Sequence, residues 1–220
     1  LHIIEQLPIN IFDEDINDHI YQYVNSVYFD NDQLELYHKR ILKEEGSNIV
    51  RIRWYNENNS KLFVEKKTHH EDWTKLDSMK ERFIIDSNKV VSYLKNNYII
   101  ENELAYDISN LIISKKLYPI IRTVYKRIAF QLKNNDDVRI SLDIDMKIIR
   151  ENTNHMQWFT DYENIEEDDI NYFKYAILEI KLKDNFIENP PDWVNYLINS
   201  NLIIKKDSFS KFGHSIYTFY

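Results

Sequence analysis

The sequence predicts an α+β protein built on an antiparallel sheet, and three observations lead there. Apolar and polar residues alternate along several stretches rich in β-branched and aromatic side chains, the pattern of half-buried strands. Stretches with helical apolar spacing lie between them, but without the strand–helix–strand rhythm of a parallel sheet. Short polar turns join neighbouring strands directly, as hairpins do.

In chain order, residues 1–12 read as the end of a helix and its exit. Residues 20–30 (IYQYVNSVYFD) form a strand that ends in Asp30-Asn31, a turn signal. Leu34, Tyr37 and Ile41 are spaced for a short helix over 31–42. Residues 48–55 (NIVRIRWY) and 61–69 (KLFVEKKTH) alternate on either side of polar 56–60, which makes a hairpin. Residues 88–94 and 101–116 carry helix-period apolar positions, with Leu104, Ile108, Leu111 and Ile112 in the second. Residues 118–132 and 138–151 are long strands joined by the turn 133–137, and 171–183 (NYFKYAILEIKLK) is a further strand, so the sheet has about six strands. Pro190-Pro191 opens a helix, with proline in the first turn where its missing N–H costs nothing. Residues 209–220 are a short aromatic end, and the acidic run 166–169 is a solvated loop.

A chain of 220 residues with 43% hydrophobic and 14% aromatic side chains can bury a sizeable core, as one large domain or at most two small ones. Its 28 basic and 36 acidic residues leave a formal charge of −8, which disfavours broad nucleic-acid binding. Two glycines, Gly46 and Gly213, are too few for a phosphate-binding glycine loop or a dinucleotide fingerprint. The lack of cysteine removes disulfides, thiolate zinc sites and a cysteine nucleophile. No apolar run is long enough to span a bilayer, and no signal peptide is visible. The opening at Leu1 suggests a segment of something longer, with any targeting or membrane part outside it.

Function enters through the faces of the strands, because alternate side chains point to opposite sides of a sheet. Arg51 and Arg53 share a face opposite Ile52 and Trp54. Phe63, Glu65, Lys67 and His69 share a face opposite Leu62 and Val64, and Tyr125 pairs with Arg127 in the same way. Arg139, Ser141 and Asp143 follow, and Glu179 and Lys181 alternate with Leu178, Ile180 and Leu182. A sheet with one solvated face would account for this strand by strand. The charged face is nevertheless unusually basic for an acidic chain, and rich in arginine, which suits bidentate phosphate contacts. Helices can cover the apolar faces, which leaves a closed barrel with a polar lumen whose repelling charges call for a chain of phosphates.

The segments SVYFDN (26–31), LELYHKR (34–40), RIRWY (51–55), VEKKTHHEDW (64–73), MKERF (79–83), VYKRIAFQL (124–132), VRISLD (138–143), YAILEIKL (175–182), PPDWV (190–194) and FSKF (209–212) occur in order. Together, from about Ile20 to His214, they resemble the tunnel domain of vacuolar transporter chaperone (VTC) proteins. That family belongs to the triphosphate tunnel metalloenzymes, whose fold is an antiparallel β-barrel tunnel with helices packed outside. The resemblance implies a single tunnel domain that transfers the γ-phosphate of ATP to inorganic polyphosphate with Mn²⁺ or Mg²⁺. It also implies partnership with other VTC subunits and a place on the cytosolic face of a vacuole-like or acidic-organelle membrane, reached through regions outside this chain.

Residue by residue, the resemblance implies that Arg51 and Arg53 grip phosphates, with Lys67, His69 and Lys80 matching the family's lysine, histidine and following lysine. Tyr125, Arg127 and Arg139 match further phosphate-binding positions, Glu179 the metal ligand, and Ser210 and Lys211 the serine and lysine of FSKF. Such residues suit phosphoryl transfer, which needs charge neutralisation and alignment more than covalent chemistry. Each also has a plainer reading. Glu179 could pair with Lys181 or an arginine, Lys80 could be a surface lysine on a loop, and Tyr125 could be core. His70-Glu71 starts a zinc-protease motif that Thr74 breaks. Trp54, Trp73 and Trp193 suit packing, and the sequon at Asn58 is a chance match.

Some positions depart from the family pattern. Lys66 and His70 stand where arginine is usual, Asn56-Glu57 where glycines are common, and Ser208 where a lysine precedes FSKF. The family's first strand, with its own phosphate-binding lysine, is expected before Leu1. The last two departures remove positive charge, so a non-catalytic polyphosphate-binding accessory subunit is an alternative. Hydrolysis of short triphosphates is another.

Overall fold

The structure, a computed structural model, describes residues 2–10, 20–132, 135, 137–151, 165–206 and 209–220. Its strands are β1 (Ile9–Asn10), β2 (Gln22–Asp30), β3 (Asn48–Tyr55), β4 (Asn58–Thr68), β5 (Met79–Asp86), β6 (Tyr118–Gln131), β7 (Val138–Arg150), β8 (Ile170–Tyr172) and β9 (Ile177–Leu182). The helices are α1 (His2–Gln6), α2 (Glu35–Ile41), α3 (Ser87–Leu94), α4 (Glu103–Lys115), α5 (Asp184–Ile187), α6 (Asp192–Asn199) and α7 (Lys211–Phe219). The hydrogen-bonded order is β5-β4-β3-β2-β6-β7-β8, with β1 on β6 and β9 on β7. The α+β class and the antiparallel pairing match the expectation. Among the described residues the pairing is an open path, and no ladder joins β5 to β8.

Two compact units share the chain. The first comprises residues 1–23, 125–146 and 174–209, and the second 24–124, 147–173 and 210–220. The strands β2, β6 and β7 run through both.

The second unit holds the larger core. Val27 and Phe29 of β2, Val50 and Ile52 of β3 and Leu62 and Val64 of β4 are essentially inaccessible to solvent. They pack under Val90 and Tyr93 of α3 and Ala105, Ile108 and Ile112 of α4. These are the apolar alternates of each strand, so the opposite alternates must carry the polar residues. Asp30 fixes the exit from β2. Its carboxylate accepts backbone N–H bonds from Asn31 (2.9 Å), Leu36 (2.9 Å) and Tyr37 (2.8 Å). It thereby satisfies first-turn donors of α2, which Leu34, with φ of 51°, cannot cap through its own side chain. Asn102 caps α4 by accepting from the Ala105 N–H at 3.0 Å.

In the first unit, Leu7, Phe130 and Ile140 are buried, with Ile128, Leu178, Ile180 and Trp193 against them. Trp193 thus packs, as expected. Here β7 pairs with β9 in the register Ser141↔Glu179 and Arg139↔Lys181.

Several expectations are corrected. Residues 79–86 are a strand, not a loop, so Lys80 sits on β5 and not on a surface loop. The single strand expected over 171–183 is two, β8 and β9, both paired with β7. Between the two registers Asp145 takes a left-handed φ of 53°, which breaks the ladder as a bulge does. The aromatic end is the helix α7, and Pro191 stands at the N-cap of α6 just outside its first turn. The acidic run forms a 3-10 turn at Glu167–Asp169, where Asp169 accepts from Arg150. Ser208 and most of the turn 133–137 lie outside the described residues.

Candidate phosphate-binding site

Strand pairing sets out a polar row in the second unit. Tyr28 of β2 lies opposite Arg51 of β3, and Arg51 lies opposite Glu65 of β4. One step along, Ser26 lies opposite Arg53. Directly opposed side chains in antiparallel strands are close enough to bond, and each of these pairs does. Arg51 donates from Nε to the Glu65 carboxylate at 2.5 Å, and its Nη1 lies 3.4 Å from the Tyr28 hydroxyl. Arg53, 6% exposed, donates from Nε to Ser26 Oγ at 2.9 Å. From β5, Lys80 reaches diagonally to place its ammonium 3.0 Å from the other Glu65 oxygen. Arg82, opposite Glu65 on the same strand, lies over the Phe63 ring at 4.9 Å.

The electrostatics follow from burial and opposed charge. Burial would push the Tyr28 phenol up, but Arg51, Arg53 and Lys211 together bring it below its ordinary value. Burial would likewise raise Glu65, and Arg51, Arg53 and Lys80 hold it below the usual carboxylate range. For Arg51 the loss of water opposes the charge, yet Tyr28 and Glu65 hold the guanidinium more firmly protonated than usual. Burial lowers Lys80, Arg51 and Arg53 push the same way, and Glu65 opposes them. Lys211 opens α7 behind Ser210, whose hydroxyl accepts the Gly213 N–H at 3.1 Å and caps the helix. The next residue, Phe212, stacks on Tyr28 with centroids 5.2 Å apart.

Lys67 follows Glu65 on the same face of β4, and His69 lies just past the strand. Lys67 is exposed and opposite Lys80 in the register. His69 ends the β4 region, with its ring 3.3 Å from the Ser78 hydroxyl and its backbone tied to Gly46 and Ser47.

The first unit holds a second cluster. Arg127 on β6 donates to both oxygens of Asp143 on β7, at 2.6 and 2.8 Å, and lies over the buried Tyr125 ring at 5.3 Å. Burial opposes its charge, but Asp143, Tyr125 and Glu179 raise it further above its ordinary value. Glu179 on β9 is half exposed, with Lys181 3.6 Å away. The pairing expected as its plainer reading is therefore present. Arg139 is exposed at the end of β7, opposite Lys181.

The expected cations are thus grouped as Arg51, Arg53 and Lys80 in one unit and Arg127 in the other. The anions and hydroxyls that organise them, Glu65, Tyr28, Ser26 and Asp143, were not among the expected site residues. A carboxylate at a phosphate site runs against charge logic, and only its burial and its partners reveal the role.

No group of three or more histidine, aspartate or glutamate side chains capable of holding a metal occurs among the described residues. Glu179 fits a hard divalent cation as a single accessible oxygen donor. Mg²⁺ and Mn²⁺ commonly bind through one or two carboxylates, with substrate phosphates and water completing the shell.

This antiparallel α+β sheet has the triphosphate tunnel fold. A Bacillus halodurans structure proposed to be an adenylate cyclase shares this fold at a TM-score of 0.54, with 14% identity over 90% of this chain and 84% of that one. The VTC domain model matches residues 1–220, and the chain belongs to the VTC domain family. It is 35% identical to vacuolar transporter chaperone complex subunit 4 of Schizosaccharomyces pombe, over 100% of this chain and 35% of that protein. Subunit 4 of Trypanosoma brucei brucei is 31% identical, over 90% of this chain and 28% of that protein. Subunit 2 of Schizosaccharomyces pombe is 28% identical, over 86% and 30%. The chain thus spans about a third of the length of these relatives. None of the described helices is long and apolar enough to cross a membrane.

Proposed function

We propose that the chain is the polyphosphate-handling domain of a VTC subunit and that it transfers the γ-phosphoryl group of ATP to the end of an inorganic polyphosphate chain. The observation that carries this reading is the row Tyr28–Arg51–Glu65, with Arg53 and Lys80 beside it, in a chain whose net charge is −8. Guanidinium groups fixed by neighbours on a rigid sheet are pre-organised for phosphate oxygens and lose little freedom on binding.

In this reading Arg51, Arg53, Lys80, Arg127 and Lys211 neutralise the phosphates, so that one terminal phosphate can approach another despite their like charge. Tyr125, Arg139, Ser210, Lys67 and His69 provide further contacts. The terminal oxygen of the acceptor chain attacks the γ-phosphorus, the bond to the β-phosphate oxygen breaks, and ADP departs. No side-chain nucleophile is needed. Glu179 would hold Mn²⁺ or Mg²⁺ through a carboxylate oxygen. Such an ion supplies charge stabilisation at the phosphoryl oxygens. Other VTC subunits would be the partners, and the cytosolic face of a vacuole-like organelle the setting.

Binding of polyphosphate to the Arg51→Gln/Arg53→Gln double variant tests the reading. Affinity should fall by about a hundredfold, at about tenfold per lost charge-assisted contact. The salt dependence should also weaken, because the lost contacts are ionic. Unchanged affinity would show that the arginines do not face the ligand. An accessory, non-synthesising subunit would show the same binding without turnover.

A further inference from the structure

We propose that Glu65 is a positioning residue of the phosphate site: it holds Lys80 protonated and Arg51 fixed against Tyr28, so that both cations are ready when an anion arrives. The inference rests on the phosphate-binding reading above. Glu65 is 2% exposed and lies between two cations, with Arg51 Nε on one oxygen at 2.5 Å and the Lys80 ammonium on the other at 3.0 Å. The contact with Lys80 is a charge-assisted one between a buried carboxylate oxygen and an ammonium that keeps part of its side chain in water. The Lys80 side chain is 45% exposed, so its ammonium is accessible to a ligand while Glu65 holds it.

The groups that face Lys80 are Glu65 on β4, Arg51 and Arg53 on β3, and Lys67 opposite it in the register. Three of these are cations and disfavour a further positive charge. Burial acts in the same direction, so Glu65 alone among these four groups favours the ammonium. Without its negative charge, Lys80 would lose its proton at lower pH. Arg51 would keep its charge, as arginine does, but lose the anchor that sets its plane against Tyr28.

The test is tripolyphosphate affinity as a function of pH, measured by calorimetry on the full-length protein. Tyr28 is itself ionisable and faces Arg51, Arg53 and Lys211, so the series is run in a Tyr28→Phe background. Affinity that needs Lys80 protonated is present below its pKa and falls as pH rises through it, by about tenfold for one charge-assisted contact. Glu65→Gln should move that fall to lower pH, and Glu65→Asp should return it toward the parent position. Lys80→Arg should abolish the fall, since arginine stays charged.

A fall that does not move in Glu65→Gln overturns the inference, as does affinity that rises equally at every pH, which would make Glu65 a mere competitor of the ligand. Lys80→Arg carries the test alone if Glu65→Gln fails to fold, because Lys80 is 45% exposed and tolerates replacement. A fall that persists in Lys80→Arg then overturns the inference. If the parent protein does not bind tripolyphosphate at any pH, the phosphate reading itself fails. Binding with an unmoved fall sinks the inference alone.

Discussion

Arg127 and Asp143 grip each other through two parallel hydrogen bonds of 2.6 and 2.8 Å, and the aspartate is 1% exposed. A buried carboxylate with no cation would be untenable, and a mostly buried guanidinium with no anion nearly so. Asp143→Asn keeps the shape and removes the charge. It should destabilise the protein by about 3 kcal/mol, the low end for breaking a buried pair, because Arg127 keeps partial contact with water. Denaturant unfolding reads this directly. A loss below about 1 kcal/mol would mean that the pair acts as an exposed one.

Asp30 should be the most costly cap to remove. Its carboxylate accepts three backbone N–H groups where β2 turns into α2. Asp30→Ala should cost about 2 kcal/mol, the upper end for a helix cap. Amide exchange at Leu36 and Tyr37 should accelerate with it, and unchanged protection there would contradict the capping role.

Much of this fold was legible in the sequence, and the gaps have physical causes. Strands β3 and β4 follow from alternation, β2 from its β-branched and aromatic run, and β6 and β7 from two long stretches joined by the polar turn 133–137. Strand β5 is not announced by its sequence, because Lys80, Glu81 and Arg82 are charged in succession and only pairing with β4 makes it a strand. Strands β8 and β9 pair with separate stretches of β7 on either side of Asp145, a division that no side-chain pattern announces. In α7, Phe212, Ser215 and Ile216 already had helical spacing behind Ser210, a cap signal that the aromatic composition obscured. Lys80 and Lys211 followed only from the family resemblance, whereas Arg51, Arg53 and Arg127 were readable by type and alternation. Glu65 and Tyr28 were not, because their roles arise from cross-strand neighbours far apart in the chain.

Glu35 should make stability acid-sensitive. Hydrogen bonds from Lys115 and Lys39 pull its pKa down to about 2. A carboxylate lowered on folding adds stability above its unfolded pKa, and that stability is lost as pH falls through the folded value. The pairs with Lys115 at 2.7 Å and Lys39 at 3.0 Å are partly exposed, so screening limits their contribution to below about 1 kcal/mol. Glu35→Gln should therefore be slightly less stable than the parent at neutral pH, with the difference vanishing toward pH 2. A difference that stays constant across that range would exclude the charge as its source.

Phosphoryl transfer to a polyphosphate chain is read by following ADP and long-chain polyphosphate together. The full-length protein would be given ATP, Mn²⁺ and a short phosphate primer, with Glu179→Ala as the control. ADP and polymer should rise in step, and both should be lost in the control. Release of orthophosphate without polymer, or tight polyphosphate binding without any turnover, would contradict that transfer.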